Sequence, residues 1–285
     1  MPPIALKTPA TPVDTTRFAT AAALLAACVA ALFLLPNGWW TAVLMPVLLA
    51  ASWEWGKLAG LSGVSRRIFS AAVLASAILL WLAAREPAGP AGDRRHVIDL
   101  AVYAASCAFW VLIAPLWVSG RWQVRAPLVL AVVGWIVLVP AWLALARLQA
   151  DPARLIVLLG IVWLADSAAY LAGSAWGRHP LAPAISPGKT WEGVAGAGAA
   201  VAVYYVLLSV FAPGEQWREG AGGVALFTGV ALMSVVGDLF ESWIKRQAGV
   251  KDSGSLLPGH GGILDRADSL TSSMPIAALS LTFLG

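Results

Sequence analysis

Nine stretches of this chain, at about residues 18–35, 39–58, 69–84, 98–118, 126–146, 155–174, 192–211, 222–243 and 273–285, are almost wholly apolar. Most approach the roughly 20 residues that carry a helix across a hydrocarbon core, where a backbone must satisfy its own hydrogen bonds and a helix does so within one segment. Only 12% of the 285 residues are charged, against roughly 25% in soluble globular domains. The reading is an all-α polytopic integral membrane protein. The third run is marginal and the last is short, so eight or nine transmembrane helices are expected. The first run follows a polar lead, residues 1–17, and ends at Pro36-Asn37-Gly38, which reads as a turn without a convincing cleavage site. It is expected to be a retained span rather than a cleaved leader.

Lysine and arginine set the orientation. With nine spans and a cytoplasmic N-terminus, Lys7, Arg17, Lys57, Arg66, Arg67, Arg121, Arg125, Arg178, Lys189, Lys245, Arg246, Lys251 and Arg266 face the cytoplasm. Arg85, Arg94, Arg95, Arg147, Arg154 and Arg218 face the other side, a division of 13 against 6 among the 19 basic residues. The net charge of +4 follows from the same bias and gives no ground for a nucleic-acid partner. Cys28 and Cys107 both sit in apolar runs and read as small core residues rather than a disulfide framework. No internal repeat is visible, and one membrane domain is the simplest description: a polar lead (1–17), scaffold helices (18–150) and helices carrying the polar motifs (151–285).

The two halves differ in kind. Before residue 150 the spans carry few acids, Glu54 and Asp99 being exceptions near span ends, whereas later ones hold or border on Asp166, Glu192, Asp238 and Glu241. A charge at mid-bilayer costs about 3 kcal/mol on insertion scales, so each such acid needs an explanation.

Three clusters contain them. In "GDLFESWIKR", spacings of three, four and seven put Asp238, Glu241, Ser242 and Lys245 on one helical face, as a polar site or as a helix end with a Glu241–Lys245 pair. "KDSGSLLPGHGGILDRADS", residues 251–269, joins a glycine-rich loop to Asp265 and Asp268, three apart. Glycines let backbone N–H groups approach an anion, and two carboxylates on one face invite a cation between them, Mg2+ being the commonest where phosphate is handled. A solvated re-entrant turn with surface acids is the alternative. In "SPGKTWEG", residues 186–193, Pro187-Gly188 reads as a turn, Thr190 as a helix cap, and Lys189 as a phosphate ligand or an interfacial anchor. Together the clusters fit phosphoryl or nucleotidyl transfer at a membrane surface.

The segment "SWIKRQAGVKDSGSLLPGHGGILDRADS", residues 242–269, resembles the signature of the phosphatidate cytidylyltransferase (CDP-diacylglycerol synthase) family: Ser, two residues, Lys-Arg, four residues, Lys-Asp, then Pro-Gly-His-Gly-Gly, then Asp-Arg and a further Asp. The resemblance is specific over about residues 160–275. It departs at the sixth span, where Asp166-Ser167-Ala168-Ala169 stands in place of the family's frequent Asp-Thr-Gly-Ala.

The resemblance implies transfer of CMP from CTP to phosphatidate, giving CDP-diacylglycerol and pyrophosphate; the charge bias puts this at the cytoplasmic face, and the compact chain fits a bacterial-style inner membrane. The resemblance also implies Asp238 and Asp265 as ligands of Mg2+, with Asp268, Asp166 and Asp252 as further candidates, and potassium as a second cation. Lys245, Arg246, Lys251, Arg266 and Lys189 would bind the two phosphate-bearing substrates, with Gly259, His260, Gly261 and Gly262 forming the loop beside them. A homodimer is also implied. A proton-coupled carrier would use intramembrane Asp166 and Asp238 in another way, although repeats are lacking and the polar residues gather at one face. The motif series of CDP-alcohol phosphotransferases is not found, and a non-catalytic scaffold would leave the acids without a role.

Overall fold

The computed structural model describes residues 26–83, 90–212, 220–256 and 261–284. The polar lead, the start of the first apolar run, Gly259 and His260 lie outside the described residues. Helices follow the apolar runs: α1 (26–34), α2 (Asn37–Leu58), α3 (Gly63–Leu82), α4 (Pro90–Ala108), a π-helical turn (Phe109–Ile113) leading into α5 (Ala114–Gly120), α6 (Pro127–Leu148) and α7 (Pro152–Trp176). A hairpin of β1 (Pro180–Ala182) and β2 (Ser186–Thr190) precedes α8 (Trp191–Phe211), α9 (Gly220–Gln247) and α10 (Leu264–Leu284). Pro127 and Pro152 sit in first turns, where a missing N–H costs nothing.

Six segments are long and apolar enough to cross a membrane: α3, Val97–Gly120 across α4 and α5, α6, α7, α8 and α9. α10 falls short of that standard for a physical reason. It packs against α9, α6, α4, α7 and α2, so its neighbours are protein rather than lipid, and polar residues are tolerated if they find partners. Ser272 Oγ donates to Met233 O at 2.6 Å and Ser273 Oγ to Ser269 O at 2.6 Å, both inside the bundle. The last apolar run, expected from residue 273, is therefore the far part of a 21-residue helix that begins at Leu264.

Contacts sort the helix ends into two layers. In one, Asn37 Nδ2 donates to Ala146 O (2.7 Å) and Gln149 Oε1 (2.9 Å), and Arg147 pairs with Asp99 and reaches Leu80 O. In the other, Gln247 exchanges hydrogen bonds with the backbone of Val124, Trp243 Nε1 donates to Trp122 O (3.0 Å), and Arg246 Nε donates to Ile185 O (3.4 Å). The second layer gathers the segments around residues 121–125, 178–190 and 245–266, which the charge bias places together.

Phe240 anchors α9 in that layer. Its buried ring meets Phe109, Trp110 and Trp117 edge-on, with centroids 5.3, 5.4 and 5.6 Å away. The π-helical turn presents Phe109 and Trp110 together, and such pairs add roughly 0.5–1.5 kcal/mol beyond their area. This packing fixes the rotation of α9, and so the face on which its acids stand.

Two local expectations are corrected. The chain is not helical throughout, because the hairpin intervenes between α7 and α8. The turn expected at Pro187-Gly188 lies at 183–185 instead, and Pro187 and Gly188 fall within β2, where the ladder register shifts. A two-stranded sheet is all edge, so a proline is tolerated there.

Candidate active site

Four helices and the hairpin meet beside the second layer, with α7 and α9 contributing from within their lengths and α8 and α10 from their starts. Asp166 comes from α7, Lys189 and Thr190 from β2 and the start of α8, Asp238 from α9, and Asp265 and Asp268 from the first turns of α10. These side chains line one cleft of about 340 Å3, with Ser269, Gly193 and the apolar Leu181, Val194 and Val235. Thr190 caps α8 as expected, its Oγ1 accepting from Gly193 N at 3.1 Å. His179 reinforces that corner through Glu192, whose carboxylate receives both the His179 backbone N–H and its ring.

The cleft is acidic. Lys189 forms an ion pair with Asp238, and Ser242 Oγ donates to Asp238 Oδ1 at 3.3 Å. Asp238 stands close enough to Asp166 and Asp268 to repel both. Ser269 helps to hold these neighbours, since its Oγ donates to Asp166 Oδ2 (3.2 Å) and its N–H to Asp268 Oδ1 (2.8 Å). Four carboxylates thus face one lysine within the cleft lining. Among the described residues, no three acids stand close enough together to hold an ion among themselves.

Asp265 is the most heavily bonded of the four. It accepts from Lys245 Nζ (2.7 Å), Gly262 N (2.8 Å), Ser253 N (2.9 Å) and Ser253 Oγ (3.0 Å). Lys245 is buried and also binds Glu241 at 3.1 Å, so the expected i,i+4 pair is present and extended to a third partner. Its single ammonium charge is shared between Glu241, behind the cleft, and Asp265 at the cleft wall.

The loop leading into α10 is held by a residue that sequence reasoning left without a role. Glu54, near the C-terminus of α2 and 4% exposed, accepts from Ser253 Oγ (3.0 Å), Ile263 N (3.1 Å) and Leu264 N (2.9 Å). It therefore caps α10 from another helix, satisfying N–H groups that a helix start leaves open. Two glycines permit this. Gly261 has φ of +83°, and a Cβ on Gly262 would lie 2.7 Å from Glu54 Cδ. The available signal was an acid in the half of the protein whose apolar runs hold few, Asp99 being the other.

The remaining predicted residues lie outside the cleft lining. Lys251, Asp252 and Arg266 are exposed around the same loop. Arg246 is exposed too, with its guanidinium on Ile185 O and Val250 O, tying α9 to the hairpin. Gly262, expected to offer its N–H to an anion, gives it to Asp265.

A family model for the cytidylyltransferase family matches residues 15–284. The chain belongs to the cytidylyltransferase family. It is similar to the phosphatidate cytidylyltransferase of Pseudomonas aeruginosa, with 35% identity over 280 residues that cover 94% of this chain and 97% of that protein. It is also similar to those of Haemophilus influenzae (35% identity, 91% of this chain, 95% of that protein) and Brucella suis (38%, 83% and 80%). The likeness extends through the scaffold helices, beyond the motif-bearing half.

Proposed function

We propose that this membrane enzyme transfers the cytidylyl group of CTP to phosphatidate, giving CDP-diacylglycerol and pyrophosphate, at the cleft between α7, β2, α9 and α10. The observation that carries this reading is a carboxylate cleft built by the signature residues, in a chain similar over more than nine-tenths of its length to two phosphatidate cytidylyltransferases.

A phosphatidate phosphate oxygen attacks the α-phosphorus of CTP, and the bond from that phosphorus to the bridging oxygen breaks, releasing pyrophosphate. The nucleophile is already ionised at neutral pH, so no general base is needed. The barrier lies in bringing two anions together beside four aspartates. The donor set fits Mg2+, which keeps several waters and takes one or two carboxylates plus substrate phosphates, so a preformed cage of three acids is not required. One or two of Asp238, Asp265, Asp268 and Asp166 would hold it, and when bound it supplies charge neutralisation at the transferring phosphoryl group. Lys189, at the cleft wall, would bind a phosphate in exchange for Asp238. Exposed Lys251, Arg246 and Arg266 would draw the triphosphate towards the loop.

The same reading puts the cleft on the cytoplasmic side, where the lysine and arginine bias points and CTP is made. Helices α2 and α3, the combined α4–α5, and α6 to α10 run between the two layers, which supports eight spans, with the 18–35 run as a ninth. Relatives from bacteria support an inner-membrane location.

The test is pyrophosphate release by purified protein given CTP, phosphatidate and Mg2+, with each omitted in turn and with EDTA. Release that requires all three is expected. Release without phosphatidate, or none in any lipid, would overturn the assignment.

A further inference from the structure

A second cavity lies directly beside the acidic cleft. It is an apolar groove of about 360 Å3 between α8 and α9, and Val194 and Val235 line both spaces. From that shared wall it follows Val194, Gly198, Ala202 and Tyr205, spaced four, four and three along one face of α8. No charged side chain lines it, and the Tyr205 hydroxyl at its far end is engaged by Gly220 O at 3.2 Å. The eleven residue steps from Val194 to Tyr205 rise about 16 Å, which is half of a roughly 30 Å hydrocarbon core. The groove thus begins at the charged layer and ends near the depth reached by one acyl chain of one leaflet.

We propose that this groove seats one acyl chain of the lipid substrate and, with Gly198 and Ala202 on its wall, sets how chain length affects turnover. The inference rests on the reading that the cleft takes a lipid phosphate, and it adds where the attached chain goes. The wall shared with the cleft selects this occupant over an unrelated bilayer lipid, because a chain in the groove then has its headgroup beside the aspartates. Lipid tails are as apolar as the groove, so seating a chain there adds little affinity. What it supplies is position: the phosphate is delivered at a fixed height and azimuth beside CTP, and small misplacements of a nucleophile are costly. Small side chains keep the wall open. A Cβ on Gly198 would meet nothing within 4 Å, so a larger residue there would project into the groove without displacing backbone.

The experiment compares kcat/KM for dihexanoyl, dioctanoyl, dimyristoyl and dipalmitoyl phosphatidate in mixed micelles with CTP and Mg2+. It uses the wild-type protein, Gly198→Leu, Ala202→Leu and Val203→Phe, the last adding bulk on the exposed face of α8 outside the groove. Gly198 is one turn, about 6 Å, from Val194, and Ala202 is two turns, about 12 Å. Ala202→Leu is expected to lower kcat/KM for the dipalmitoyl substrate about tenfold while leaving dihexanoyl within about twofold. Gly198→Leu should bring the fall at a shorter chain, and Val203→Phe should follow the wild-type profile. Retained dihexanoyl turnover shows that each variant is folded. Profiles parallel to wild type in both groove variants, or equal losses at every chain length, would overturn the groove assignment while leaving the cytidylyltransferase reading intact. A change in oligomeric state without a change in profile would do the same and give the groove to a second copy. A wild-type protein inactive on all four lipids would sink both.

Discussion

Replacing Glu54 with glutamine tests whether the first half of the chain holds the loop beside the candidate site. The carboxylate accepts three hydrogen bonds, with Oε1 serving Ile263 N and Oε2 serving Ser253 Oγ and Leu264 N. An amide keeps one acceptor oxygen and turns an NH2 towards the other donors. At least one buried N–H then loses its partner, and the surviving bonds are no longer charge-assisted. With about 1.5–3 kcal/mol for a hydrogen bond to a charged group, the loop should lose about 3 kcal/mol of local stability. That is about a hundredfold in the opening equilibrium. Because Ser253 also holds Asp265, the opening should carry into the cleft. Hydrogen exchange followed by mass spectrometry on Glu54→Gln should show the peptide containing Ile263 and Leu264 exchanging about a hundredfold faster, with α7 and α8 unchanged. Turnover should fall in parallel. Wild-type exchange in that peptide together with wild-type kcat/KM would refute the reasoning.

Asp265→Asn should insert and purify normally yet lose turnover by about two orders of magnitude or more, measured as CDP-lipid formation, because it removes a charged cleft ligand and the partner of Lys245. Lys251→Ala should raise the KM for CTP several-fold with little change in protein yield, as checked by steady-state kinetics. Phe240→Ala should lower stability by about 3–5 kcal/mol, seen as a fall in the thermal unfolding midpoint in detergent, since it empties the centre of the aromatic cluster.

Helix positions were legible from the apolar runs because lipid selects against charge wherever a helix faces it. The same logic hid α10. Its serines face other helices and its aspartates the cleft, so hydropathy marks a central helix as a loop with a short tail. The site was legible where chemistry demanded side chains at fixed spacing, as with Asp238, Lys245, Asp265 and Asp268, and Thr190 followed the ordinary capping rule. Glu54 was not, because its partners lie 199 to 210 residues away and no local pattern announces them. The hairpin was misplaced by the Pro-Gly pair, a turn signal that here sits in an edge strand.

The most direct measurement of the central claim follows the label from CTP. With α-labelled CTP, phosphatidate and Mg2+, the account predicts label in the lipid product; with γ-labelled CTP it predicts label in pyrophosphate and an unlabelled lipid. Label reaching lipid from the γ position would mean phosphoryl rather than cytidylyl transfer and would contradict the account.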